Sequence, residues 1–256
     1  MDFQYFCYTK DNIPDGLGFS FLGPRHIISW LISLAVILTV CLLFKKLDEK
    51  SKEFVIRGVG LSIFGLEIIK DIVVVALGQW DIEYLPLHIC GANVILIAVW
   101  LITKNRIIAD LLYCLCPFGA ALALTTPNWM TLPVLNFMHF QTVIIHTLLV
   151  IFPILIVMAG SRPDIKNAPK CFGAVLAYSA VIYVFNKIFD SDFVFLNGAR
   201  NTPFEPIVKI IGPLYVIPMM LLLGCIMLGM YLPWHLSDKK KRQTDEKNQV
   251  CSSSVK

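Results

Sequence analysis

Charge is scarce in this chain. Only 16% of its 256 residues are Asp, Glu, Lys or Arg, against about 25% in an ordinary soluble domain. Together with a hydrophobic content of 57%, that shortage excludes a soluble enzyme, a disordered chain and a nucleic-acid module. The net charge of +4 is an asymmetry among loops rather than a nucleic-acid footprint. Metal cassettes are missing as well: there is no CxxC, HExxH or HxH, so no metal or other cofactor is expected. The eight cysteines (Cys7, Cys41, Cys90, Cys114, Cys116, Cys171, Cys225 and Cys251) lie mostly inside apolar stretches. They form no disulfide framework and read as small packing residues. No period of 20–50 residues signals a repeat, and no linker divides the chain. The first 25 residues lack the basic start and apolar core of a cleavable leader.

What is abundant is long apolar runs. A spanning helix needs about 20 mostly apolar residues, and seven stretches qualify: 26–45, 58–79, 85–103, 107–126, 137–159, 171–189 and 210–232. They are continuous and do not alternate with polar residues, which predicts helices rather than barrel strands. The fourth contains Asp110, Pro117 and Gly119, so a break or re-entrant turn is expected there. Lys45, Lys46, Lys50, Lys52 and Arg57 follow the first run. Lys104 and Arg106 follow the third, Arg162, Lys166 and Lys170 the fifth, and Lys239, Lys240, Lys241 and Arg242 the seventh. The intervening loops QWDIEYLP and TPNWMTLP have no cation. All the basic segments share one side only if the span number is odd. The expectation is an all-α polytopic membrane protein, a bundle of seven transmembrane helices, with the N-terminus outside and the C-terminus cytoplasmic. Residues 1–25 form an external segment, 26–232 the membrane domain, and 233–256 a disordered basic tail. A plasma (cytoplasmic) membrane location and membrane lipids as partners follow, with no nucleic acid; oligomeric state is not legible.

Ionisable groups inside a bilayer are unfavourable by about 2.5–3.5 kcal/mol on insertion scales, and each is a functional hypothesis. Glu67 falls near the midplane of the second span, with Lys70 and Asp71 three and four residues on and on the same face. His88 and Cys90 open the third span on the outer side. His139 opens the fifth, and His146 lies about two turns, roughly 10 Å, deeper on the same face. His26 opens the first span on that side, and Asn197, Arg200 and Asn201 lie in the outer loop before the seventh. Four of the five histidines, one cysteine and the charged face of the second span thus fall in one half. They predict a polar cavity there. A simpler account gives Glu67 and Lys70 mutual neutralisation within one helix. The inner half holds mainly Asp110, read as an interfacial pair with Arg106. Pro86 is read at the first turn of the third span, and Pro153 as a kink in the fifth.

A Cys–His pair is the smallest set for acyl transfer through a thioester. Cys90 is the cysteine placed among histidines. Residues two apart on a helix point about 200° away from each other, which disfavours His88 as its base. His146 or His139 on another helix is the natural supplier, with Glu67 orienting the imidazole or balancing charge. His88 and His139 then bind a headgroup or hold an oxyanion, with His26, Asn197, Arg200, Asn201, Lys70 and Asp71 as further substrate contacts. Two other readings use the same residues. One is a metal held by His26, His88, His139, His146, Cys90 and Glu67. The other is a transporter or receptor for a lipid or small solute, with Glu67, Lys70 and Asp71 as coupling charges.

The succession FLGPRHIISWLI, Glu67, LPLHIC, PFGAALALTTPN, HFQTVIIHTLLVIFPI, NGARN and IIGPLY resembles the YwaF-like integral membrane family over residues 19–232. LPLHIC joined to HxxxxxxH is its most specific part. That family is similar to the eukaryotic ether-phospholipid acyltransferases, which move a polyunsaturated acyl chain between phospholipids through a cysteine and a histidine. The resemblance implies Cys90 at the nucleophile position and His146 at the histidine position. Where the eukaryotic enzymes carry an Asn-Pro-Cys-His-like run, this chain has Leu-His-Ile-Cys.

Overall fold

Each apolar run becomes a helix because lipid leaves no other partner for the backbone N–H and C=O groups. In the computed structural model, which describes residues 3–199 and 205–253, the helices are α1 (Pro24–Phe44), α2 (Glu49–Ala76), α3 (Ile89–Thr103), α4 (Arg106–Thr125), α5 (Phe137–Met158), α6 (Ala168–Phe189), α7 (Glu205–Ile211) and α8 (Val216–Ser253). No strand occurs among the described residues. Among the described residues five segments are long and apolar enough to cross a membrane: Pro24–Phe44, Arg106–Thr125, Phe137–Met158, Ile165–Phe189 and Glu205–Asp238. All seven predicted runs fall on helices, but α2 and α3 depart from the simple spanning type. Within its apolar part α2 carries Glu67, Lys70 and Asp71. With only 15 residues, α3 is about 22 Å long.

Helix starts follow local chemistry. Pro24 occupies the first turn of α1, where its missing N–H is harmless. Asn105 and Asn136 cap α4 and α5 by accepting from the first backbone N–H groups of those helices. Asn136 also donates through Nδ2 to the carbonyls of Tyr5 and Tyr8, at 2.8 and 2.9 Å, which straps the N-terminal segment across one end of the bundle. Phe19 N–H to Met130 O and Thr9 N–H to the Gln79 side chain extend the strap.

At the core, α5 packs on α1, α2, α3 and α4. Ile63, Ile97, Leu112, Leu149, Ile151, Phe152 and Leu155 are fully buried there. Gly60 allows α2 to approach closely, since a Cβ would sit 2.8 Å from Leu101 and 2.9 Å from Phe152. Outward faces keep large apolar side chains exposed, among them Leu31, Ile32, Ile102, Val181 and Leu221. Such a continuous apolar exterior suits lipid and not water.

The segments after α3 and α5 meet beside α8. There Arg106 donates to the carbonyl of Arg162, and Arg162 pairs with Asp238 at 3.8 Å.

Several local expectations change. Despite Pro117, α4 is unbroken. Its Asp110 is buried and accepts from Asn167 Nδ2 at 2.8 Å and from the Asp164 N–H, while Arg106 turns elsewhere. Pro86 lies before α3 and not in its first turn, because the helix begins only at Ile89 with His88 as its cap. The tail expected to be disordered continues α8 through Ser253. Its Lys, Arg, Gln and Glu residues are good helix formers, and they extend an existing helix without a new nucleus.

Candidate functional site

Beneath the strap lies a cavity of about 670 Å³. Cys90, His88 and Gly91 from the start of α3, Glu67 and Lys70 from α2, and Gln141, Thr142 and His146 from α5 line it. The loops at that end add Lys10, Tyr84, Asn128, Trp129, Asp192 and Asn197. Glu67 and Lys70 of α2, Cys90 of α3 with the capping His88, and His146 of α5 thus line one cavity, whereas Asp71 is not among its lining residues. The α2–α3 connection, with a 3-10 turn at Ile82–Tyr84, precedes the short α3 and supplies Asp81, Glu83, Tyr84, Leu85 and Pro86 to the wall.

The charges of α2 neutralise one another. Lys70, only 8% exposed, lies 2.5 Å from Glu67 and 3.2 Å from Asp71, and donates to Tyr84 O at 3.3 Å. Burial of an ammonium is tolerated because carboxylates and a carbonyl surround it. Glu67 is thus engaged by Lys70, and the imidazole of His146 is oriented by other groups.

Those groups are Thr142 and Trp129. Nδ1 of His146 lies 2.8 Å from the carbonyl of Thr142 one turn earlier. The Trp129 ring stacks on the imidazole at 5.6 Å and 24°. A carbonyl only accepts, so Nδ1 carries the proton and Nε2 keeps its lone pair. Sequence reading missed Trp129 because it sits in a loop. Its signal was there: a Trp in the cation-free segment TPNWMTLP, at the level where aromatic side chains favour a membrane interface.

His88 differs from expectation. As the residue capping α3 it has extended backbone, φ −66° and ψ 155°, so the helical 200° rule does not apply. It lines the same cavity as Cys90. Cys90 is in the first turn of α3, whose leading N–H groups have no acceptor within the helix. Gly91 packs directly on Pro86, and a Cβ there would sit 2.6 Å from the proline Cα.

His26 and His139 are not in this cavity. They line a separate void of about 10 Å³ with Phe19, Leu124 and Trp129. The ring of Trp129 forms the wall between the two spaces, and α1 closes the far side, which is why a shared helix face on α5 did not place both histidines together. His26, 5% exposed, accepts at Nδ1 from the Leu22 N–H and contacts Leu124 O through Nε2 at 3.0 Å. His139, 3% exposed, has its Nδ1 buried with no hydrogen-bond partner among the described residues. Asn197 reaches the cavity rim, but its side chain is held by Lys187 and by Ser191 O. Arg200 and Asn201 lie outside the described residues. No three His, Cys, Asp or Glu side chains converge as metal ligands among the described residues.

A model of the TMEM164 family matches residues 21–231, most of the chain. The chain belongs to that family, and it is a multi-pass integral membrane protein. No curated protein and no solved structure matches it.

Proposed function

We propose that this member of the TMEM164 family is a membrane-embedded acyl-transfer enzyme acting on a phospholipid or another lipid ester. Cys90 is the nucleophile, His146 the general acid and base, and Glu67 a charge-balancing group paired with Lys70. The observation that supports this most is that Cys90 and His146 line one cavity, with the imidazole held at Nδ1 so that Nε2 is the nitrogen left for chemistry. The reading also draws on the resemblance to the YwaF-like proteins and the ether-phospholipid acyltransferases.

In this scheme Nε2 of His146 takes the thiol proton, and the sulfur attacks the ester carbonyl. The C–O bond then breaks, and His146 returns the proton to the leaving alkoxide, which leaves a thioester on Cys90. An acceptor hydroxyl attacks that thioester, gives its proton to His146, and the thiolate recovers it. No external oxidant or reductant is needed.

The topology belongs to the same proposal. With α2 and α3 counted as spans the bundle crosses seven times, in a plasma (cytoplasmic) membrane. The N-terminus and the cavity are outside and the C-terminus is cytoplasmic. That arrangement puts every strongly basic loop on one side.

In reconstituted vesicles, Cys90→Ala should abolish acyl transfer while expression and folding persist. Full transfer by that variant would remove the thioester scheme. A carrier with Glu67, Lys70 and Asp71 as coupling charges is the alternative reading. It predicts ligand binding that is sensitive to Glu67→Gln and indifferent to Cys90→Ala.

A further inference from the structure

The two cavity histidines are held by opposite hydrogen bonds. His146 faces a carbonyl at Nδ1. His88 instead accepts at Nδ1, from the backbone N–H of Val194 at 3.2 Å. An imidazole nitrogen that accepts a hydrogen bond has no proton, so the neutral ring of His88 carries its proton on Nε2. In the neutral state the remaining nitrogen of His146 therefore has a lone pair and that of His88 a proton, and both residues line the cavity.

The setting of His88 is built with some care. Its ring lies between Phe193 and Phe195, with centroids at 5.2 and 5.3 Å. The loop that supplies those rings and the Val194 N–H has four non-glycine residues in the left-handed region: Asp190, Val194, Phe195 and Ala199. For a β-branched valine at φ 57° this is costly, and such backbone persists only where surrounding contacts over-determine it. The contacts are present. Asn186 donates to Phe193 O and accepts from the Phe193 N–H and the Ser191 hydroxyl. The Tyr215 hydroxyl donates to Phe195 O at 2.6 Å and accepts from the Gly198 N–H. A loop pinned in this way holds the Val194 N–H, and through it the tautomer and aim of His88.

Resting on the acyl-transfer reading above, we propose that His88 is a catalytic hydrogen-bond donor that stabilises the oxyanion formed when Cys90 attacks an ester. When the C–S bond forms, the carbonyl π pair moves onto oxygen, and Nε2–H of His88 donates to it. The proton stays on His88 as the C–O bond breaks. No side chain caps the leading N–H groups of α3, the helix that carries Cys90, so they are further donors at its start. His88 is thereby assigned to the oxyanion, and Asn186, Tyr215 and Val194 act through it as positioning residues.

Two substitutions separate this role from a structural one. His88→Asn puts an amide oxygen near the position of Nδ1, where it accepts from Val194, but leaves nothing at the position of Nε2. His88→Gln puts an amide N–H near the position of Nε2 and gives up the bond to Val194. Each protein, in nanodiscs, is treated with p-nitrophenyl hexanoate to acylate Cys90 and, separately, with iodoacetamide to alkylate it. Alkylation needs an activated sulfur but forms no oxyanion. The expected result is that His88→Asn slows acylation about 100- to 1,000-fold with alkylation unchanged, while His88→Gln keeps most of the acylation rate. The proposal is overturned if His88→Asn acylates normally, if acylation and alkylation fall together, or if His88→Gln is the more damaging change. Absence of acyl adduct on wild-type Cys90 is a different failure, since it removes the thioester reading itself.

Discussion

Two pairs of histidines sit at the same end of this bundle and do different things. His26 and His139 face a void of about 10 Å³, whereas His88 and His146 face one of about 670 Å³. Both nitrogens of His26 are used, one by Leu22 and one by Leu124, so that ring braces α1 to α4. His88 and His146 each have Nδ1 fixed by backbone, and both residues line the larger cavity. The difference teaches that depth and residue type do not make a histidine functional. What distinguishes the second pair is a ring held at one nitrogen in the wall of a sizeable cavity.

That contrast can be broken or sharpened by substitution. The largest effect should come from His146→Ala, with acyl transfer falling about 100- to 10,000-fold in a vesicle assay at unchanged protein level. Next, Gly91→Ala forces the Pro86 backbone away from a contact of 2.6 Å. A shift of several tenths of an ångström beside the nucleophile should lower transfer by up to about 100-fold, with little change in thermal midpoint if Pro86 yields. Trp129→Leu removes the ring stacked on His146 and should lower transfer on the order of 10-fold through loss of orientation. His26→Ala belongs to the other pair. It strands the Leu124 carbonyl and the Leu22 N–H, so stability should drop by about 1–3 kcal/mol while activity per folded molecule is kept. The smallest change is expected for His139→Leu. A buried, unpartnered Nδ1 is replaced by an apolar group, so activity should hold and the thermal midpoint in detergent should stay level or rise. Loss of transfer in His139→Leu with His146→Ala unaffected would invert the comparison.

Much of the fold was legible because lipid imposes simple rules. Continuous apolar runs gave all the long helices, and two of the basic segments, those of Arg106 and Arg162, do meet, beside Asp238 of α8. The cavity was legible in outline, since Glu67, His88, Cys90 and His146 all reach it. What escaped was decided by loops. Helix α3 begins at Ile89 and not at residue 85, so His88 has the extended backbone of a cap and the helical rule that set it apart from Cys90 does not apply. Helical periodicity put His139 on the same face of α5 as His146, two turns away, but it holds no information about Trp129, which lines both of their spaces. The bond from Val194 spans 106 residues and depends on left-handed backbone at residues that carry no glycine signal. Asp110 and Arg106 show the same limit: a spacing of four permits a pair, yet the turn at Asp164–Asn167 took the carboxylate instead.

The central claim is that the thiol of Cys90 carries the acyl group with His146 moving the proton. The most direct test is intact-protein mass spectrometry after incubation with phospholipid vesicles and an acid quench. The account predicts a hydroxylamine-labile acyl adduct on Cys90 that is absent in His146→Ala. Acyl exchange between lipids that proceeds with no adduct on Cys90 would contradict it.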